Sequence, residues 1–186
     1  MAGTNEFSTK RLLMRRYRPD DAPVLYEKFG RDPVMYEYSG WNPYATYDIA
    51  KETVQRFISS YNDPAFYGWA IEFQGQLIGT VGAYDYDPQK NRIEAGISIE
   101  RPMWGQGFAT ESLIGVLKYL TEHEGIEVVT AWCAAENTGS IKAMRKSGMV
   151  QTAIEKEALD IDGKKFDKLV YQYSSRGIPP AKIITE

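Results

Sequence analysis

Ile93-Glu94-Ala95-Gly96-Ile97-Ser98-Ile99, followed by Glu100-Arg101-Pro102-Met103-Trp104-Gly105-Gln106-Gly107 and then Phe108-Ala109-Thr110-Glu111-Ser112-Leu113, is the stretch that decides the fold. Its first part alternates with period two. Ile93, Ala95, Ile97 and Ile99 fall on one face of a strand, and Glu94, Gly96 and Ser98 on the other. From Leu113 onward the apolar residues Leu113, Val116, Leu117 and Leu120 recur at helical spacing. Gly125 stands where a left-handed cap ends that helix. A strand, a turn with two glycines and a long helix leave several backbone N–H groups unpaired at one point, on the positive end of a helix dipole. Such a point attracts anions, and glycines let phosphate oxygens approach the backbone directly. The plainer reading is a tight connection between strand and helix. The turn is neither a G-x-x-x-x-G-K-[ST] loop nor a full dinucleotide fingerprint, since Thr110 stands where the third glycine belongs. ATP and NAD are therefore poor guests, and a pyrophosphate of another cofactor is the better one.

Outward from this stretch the chain reads as mixed α/β. Arg11 to Tyr17 predicts a first strand, and Pro19-Asp20-Asp21 a helix start closed by Gly30. A loop dense in aromatics, Tyr36 to Tyr44, precedes a second helix over 46–61 with Val54, Phe57 and Ile58 on one side. Strands over 67–73 and 77–86 are separated by Gln74-Gly75-Gln76, the length of a tight hairpin turn. Beyond the long helix, 127–134 predicts a buried strand and 138–147 a short helix. Two more strands turn at Asp162-Gly163 and end by Ser174. The expected organisation is one domain, 1–174, and a tail, 175–186, that contains Gly177, Pro179 and Pro180 and has no apolar periodicity.

The 186 residues suit a single core, and 43% hydrophobic residues is ordinary for a globular chain. With 22 Lys and Arg against 25 Asp and Glu, a net charge of −3 gives no pull toward nucleic acid or an anionic membrane, so neither is an expected partner. There is no apolar run of membrane-spanning length and no apolar leader, so a cytoplasmic protein is expected. One Cys and one His make a metal site unexpected.

Trp104-Gly105-Gln106-Gly107-Phe108-Ala109 resembles the [QR]-x-x-G-x-[GA] cofactor motif of the GCN5-related N-acetyltransferase (GNAT) family. Trp104 departs from it, and W-G-x-G-x-A-T-E looks like the branch that contains the ribosomal-protein N-terminal acetyltransferases. Downstream, Asn137 to Met149 is similar to the family's N-x-x-[SA]-x-x-x-[YM]-x-K-x-G-[FM] helix. The resemblance spans Arg11 to Ser174. It implies a mostly antiparallel, twisted sheet, splayed in the middle and flanked by about four helices. It also implies acetyl-CoA as cosubstrate, without a metal, and an enzyme that acetylates a primary amine through a tetrahedral intermediate. The acceptor would be a protein N-terminus or a small amine, and the enzyme a monomer or homodimer.

The resemblance assigns the cofactor to Ile97, Ile99, Trp104, Gly105, Gln106, Gly107, Phe108, Ala109, Thr110, Asn137 and Ser140. Acetyl transfer needs a base for the amine, a donor for the oxyanion and a leaving thiolate. Glu94 resembles the branch's base, acting through water. A backbone N–H near Ile97 to Ile99 is the oxyanion donor, because a splayed strand beside Gly96 can aim an amide at the thioester. Ser140 resembles a serine placed near the sulfur, although a polar residue in a first helical turn needs no such role. Asn137 can cap its helix and also bond the pantetheine arm. Where many members place a Tyr to protonate the thiolate, this chain has Met144. Glu37, Trp41 and Tyr84 are the expected acceptor contacts, since rings beside carboxylates suit a cationic amine, while core packing is the plainer use of such rings. His123 is left out of the mechanism, and Cys133 is expected to be a buried structural thiol. Two other readings are a CoA sensor without turnover and a nucleotide-binding domain of another kind, which would bind ATP or NAD and no CoA.

Overall fold

A computed structural model describes residues 1–177, so the expected tail lies outside the described residues from 178 onward. Strands β1 (Phe7–Ser8) and β2 (Leu13–Arg15) open the chain. Helix α1 (Asp21–Leu25) continues as a wider π turn to Gly30, and α2 spans Tyr47–Ser60. Strands β3 (Tyr67–Phe73), β4 (Gln76–Asp87) and β5 (Arg92–Ile99) follow, then α3 (Phe108–Lys118), which also ends in a π turn. The order closes with β6 (Val128–Ala134), α4 (Thr138–Lys146), β7 (Val150–Ile161) and β8 (Lys164–Tyr173). They form one eight-stranded sheet in the order β1-β2-β3-β4-β5-β6-β8-β7. Every neighbouring pair is antiparallel except β5 and β6.

The local chemistry explains the elements. Gln74 and Gly75 take φ of 51° and 78°, and Asp162 and Gly163 take 52° and 79°, the double left-handed geometry that suits the twist of a hairpin. The first turn is therefore shorter than expected, with Gln76 already in β4. Thr46 caps α2 by accepting from the Ile49 N–H at 3.2 Å. Gly125, at φ 71°, follows the π turn that ends the long helix.

The expected first strand, Arg11 to Tyr17, contracts to Leu13–Arg15, and β1 precedes it. Arg11 is diverted from the ladder because its backbone N–H donates to Glu111 on α3 at 2.7 Å. Behind β2, the Arg15 guanidinium makes a two-pronged pair with Asp21 at 2.7 and 2.8 Å and also bonds Glu72 of β3, all nearly out of water. This ion cluster fixes where α1 starts.

The sheet is covered on both faces in its first half. Tyr67, Trp69, Ile71, Ile93, Ala95 and Ile99 pack with Phe108, Leu113, Val116 and Leu117 of α3. Ala70 and Leu77 turn to the other side, where Leu25, Phe29 and Val54 of the first two helices meet them. A third cluster, Ala134, Ile161 and Phe166, gathers under the aromatic loop through Tyr38. No helix among the described residues is long and apolar enough to cross a membrane.

Candidate active site

The parallel ladder between β5 and β6 has rungs only at Arg92–Val128, Ile93–Val129 and Glu94–Thr130. Beyond Glu94 the strands part, although β5 stays paired with β4 as far as Ile99 and β6 with β8 as far as Ala134. The sheet is thus split in its middle. Along the split, the β6-facing backbone edge from Ala95 to Ile99 has no strand to bond. The Ile97 side chain packs on the α3 core, so what Ile97 and Ile99 offer the opening is backbone. The Ile99 carbonyl is already taken, since the Trp104 indole N–H donates to it at 2.6 Å. Trp104, half exposed, therefore ties the glycine turn back onto the strand it left.

The turn leaves backbone N–H groups open at the start of α3. Gly105 and Gly107 hold φ of 74° and 80°, a region L side chains avoid. Gly107 occupies the N-cap of α3 and has no side chain to accept a bond there, whereas Thr46 and Asn137 cap α2 and α4. The first α3 bond in this region runs from the Glu111 N–H to the Gly107 carbonyl at 3.0 Å, leaving the N–H groups of Phe108, Ala109 and Thr110 turned out of the helix start. Phe108 contributes backbone alone, because its ring is 2% exposed and tilted against Phe73. The Gln106 amide folds back onto the Pro102 carbonyl at 3.2 Å. At the neighbouring helix start, the Asn137 carbonyl oxygen accepts the Ser140 N–H at 3.0 Å. Neither the Asn137 amide nitrogen nor the Ser140 hydroxyl has a partner among the described residues, so both remain available to a ligand. Met144 is 4% exposed and belongs to the core.

On the opposite face of β5, Glu94 stands in a cleft of about 250 Å³ between the two halves of the sheet. The Trp132 indole N–H donates to Glu94 Oε1 at 2.7 Å. Tyr84 is the cross-strand partner of Glu94, and its hydroxyl lies over Gly96, where an added Cβ would come within 2.9 Å of it. That position shields the hydroxyl while leaving much of the ring exposed. Burial, then the nearby Glu94 charge, push the Tyr84 hydroxyl well above the usual phenol range.

A bulge between Tyr84 and Asp87 puts Asp85 at φ 56°. The extra residue places Asp85 on the cleft wall with Glu94 and sends Tyr86 into the core on the other side. Lys168 and Glu155 close the far wall as a pair at 3.2 Å, with the Lys168 ammonium 5.5 Å from the Trp132 ring centre.

Of the expected acceptor contacts, Tyr84 meets Glu94 directly. Glu37 and Trp41 are exposed on the aromatic loop and do not line the cleft around Glu94. That loop spans the split. Tyr38 packs edge-on against Phe166 at 5.8 Å and Gly40 lies on Ile161 in one half of the sheet, while Tyr44 packs with Ala70 and Leu77 in the other. Cys133 is 4% exposed and burial pushes its thiol up to about 11, so it is no nucleophile at neutral pH. His123 packs near Tyr119 at the far end of the α3 segment.

Sequence reasoning missed Trp132, the wall residues of β7 and β8, and Arg11, whose guanidinium bonds the Gln106 carbonyl at 3.1 Å. Period-two alternation along β6 could have found Trp132, since Ala131 and Cys133 are the buried residues on either side. Nothing local marks Arg11.

Comparisons with known proteins agree with this geometry. The chain is 27% identical over 165 residues to the Bacillus subtilis strain 168 protein called uncharacterized N-acetyltransferase YoaA, covering 88% of this chain and 93% of that one. It is 27% identical over 172 residues to uncharacterized N-acetyltransferase p20 of Bacillus licheniformis, covering 89% and 93%. In fold it matches RimL, a ribosomal L7/L12 alpha-N-protein acetyltransferase solved with coenzyme A, at a TM-score of 0.83 and 17% identity over 91% of this chain and 98% of that one. The family model of the acetyltransferase (GNAT) domain matches residues 11–150. With its split sheet, its uncapped glycine turn and that match over most of its length, the chain belongs to the GNAT acetyltransferase family.

Proposed function

We propose that the protein moves an acetyl group from acetyl-CoA to a primary amine by direct attack, with no acyl-enzyme. The observation that carries this reading is the uncapped start of α3 at the mouth of the split, with a carboxylate held by an indole N–H on the opposite face of the same strand. The open N–H groups of Gly107 to Thr110 suit a pyrophosphate. The Asn137 amide and the Ser140 hydroxyl suit the pantetheine arm and the sulfur, and the free backbone edge at Ile97 to Ile99 suits the thioester oxygen. Glu94 takes the amine proton through a water, with Trp132 and Tyr84 fixing its orientation. Asp85 contacts the acceptor in the cleft, and Tyr84 contacts it from beside Glu94. A cleft of about 250 Å³, with Asp85 and Glu94 on its near wall and Arg92 and the Lys168–Glu155 pair around them, favours a compact amine or the first residues of a peptide.

One specific observation favours a second reading, a CoA sensor without turnover: the position from which many relatives protonate the thiolate is Met144, buried in the core. Release of free thiol from acetyl-CoA is the test, run against a panel of short peptides, diamines and amino sugars. Amine-dependent release that Glu94→Gln lowers supports the enzyme. Tight CoA binding without release across the panel supports the sensor.

A further inference from the structure

The loop between β1 and β2 reaches back to the cofactor turn. Glu111, in the first turn of α3, accepts from the Thr9 hydroxyl at 2.6 Å, the Arg11 N–H at 2.7 Å and Arg11 Nε at 2.6 Å. Burial works against the charge of Glu111, but these donors outweigh it and hold the carboxyl below its ordinary range. The Arg11 guanidinium, fixed by that carboxylate on one edge, lies over the Phe108 ring at 4.3 Å from its centre. Its Nη1 donates to the Gln106 carbonyl at 3.1 Å.

The last contact has a geometric consequence. The described chain has no cis peptide bond, and in a trans peptide the C=O and the following N–H point in opposite directions. Holding the Gln106 carbonyl on Arg11 therefore turns the Gly107 N–H away from Arg11 and toward the open side of the helix start. Without that anchor Gly107, at φ 80° and with no Cβ, is free to let the Gln106–Gly107 peptide rotate.

We infer that Arg11 is a positioning residue for the cofactor's pyrophosphate, acting through the Gln106–Gly107 peptide rather than by touching the acyl group. This rests on the acetyl-CoA reading above. The discriminating experiment compares two acyl donors, acetyl-CoA and S-acetylpantetheine, which carries the same thioester and lacks the pyrophosphate.

Arg11→Gln is expected to raise the KM for acetyl-CoA about tenfold with kcat unchanged, and to leave kcat/KM for S-acetylpantetheine at the wild-type value. Arg11→Lys, which keeps one donor but not the planar fork, should recover part of the loss. Thr9→Val, which loosens Glu111 but leaves Arg11 in place, should lower the melting temperature without separating the two donors. Equal losses on both donors for Arg11→Gln, or no loss, overturns the inference. If Arg11→Gln does not fold, Arg11→Lys decides by the same ratio, with an acetyl-CoA-selective rise in KM of several-fold expected. If the wild type binds CoA without turning over any amine, the enzyme reading fails. The inference is then tested by calorimetric Kd values for CoA and pantetheine, where equal weakening of both by the Arg11 variants overturns it. Absence of CoA binding by the wild type overturns both.

Discussion

Replacing Trp132 with Phe tests how Glu94 works. The substitution keeps an aromatic ring in the wall of the cleft and removes the single N–H that donates to Glu94 Oε1 at 2.7 Å. A hydrogen bond to a charged group contributes about 1.5–3 kcal/mol, more than a neutral one. If that bond holds the carboxylate where the amine proton must go, its loss reaches the transition state. At about 1.4 kcal/mol per factor of ten, kcat should fall roughly 10- to 150-fold. The KM for acetyl-CoA should hold, because the glycine turn and the α4 start do not touch Trp132. The assay is thiol release with the best amine of the panel, run beside Glu94→Gln. A Trp132→Phe enzyme with wild-type kcat refutes the reasoning, and Glu94 is then an ordinary strand residue.

Asp85→Asn should raise the KM for a cationic amine several-fold and leave the KM for acetyl-CoA alone, since the bulge sets Asp85 on the cleft wall with Glu94; amine and donor titrations separate the two. Gly107→Ala should destabilise the fold by about 1–2 kcal/mol from the left-handed φ of 80° alone, because its Cβ would meet only an ordinary 3.6 Å contact, and calorimetric melting reads this. Asp21→Asn leaves the Arg15 charge largely out of water with Glu72 as its remaining close partner, so denaturant unfolding should show a loss of about 3–5 kcal/mol. The Cys133 thiol, 4% exposed and raised to about 11, should ignore an aromatic disulfide reagent at pH 8 in the native protein and react at once in denaturant.

The legible parts of the fold are those whose physics is local. The face assignment of β5 follows from alternation, and burial of Ile93, Ala95 and Ile99 against partly open Glu94, Gly96 and Ser98 agrees with it. The glycine turn, the Asp162-Gly163 hairpin and the Asn137 cap each depend on a few adjacent residues, and each stands where the residues place it. The parts that could not be read join distant positions. Arg11 and Glu111 are 100 residues apart, and Trp132 reaches Glu94 across 38. The β4 bulge is equally silent, because Tyr84-Asp85-Tyr86-Asp87 reads as plain alternation until the partner strand fixes which residue is extra. The β1 strand is two residues long and exists because β2 offers it an edge, not because its own sequence demands it.

The two faces of β5 divide the proposed reaction. Toward α3, the strand's side chains are core and its free edge is backbone, so this half depends on conformation more than on residue identity. Away from α3, the cleft is lined by Asp85 from β4, Arg92 and Glu94 from β5, Trp132 from β6, and Glu155 and Lys168 behind them, with Tyr84 paired across the strand from Glu94. These come from five strands whose pairing is fixed by main-chain bonds, so their exposed groups can change without moving the ladder. Trp104 marks the same division from the cofactor side. Its N–H closes the Ile99 carbonyl, and what it stabilises is the path of the turn. An altered acceptor preference should therefore follow from exchanges at Tyr84, Asp85, Glu155 and Lys168. Exchanges at Gly105, Gly107 or Trp104 should change cofactor affinity for every acceptor alike.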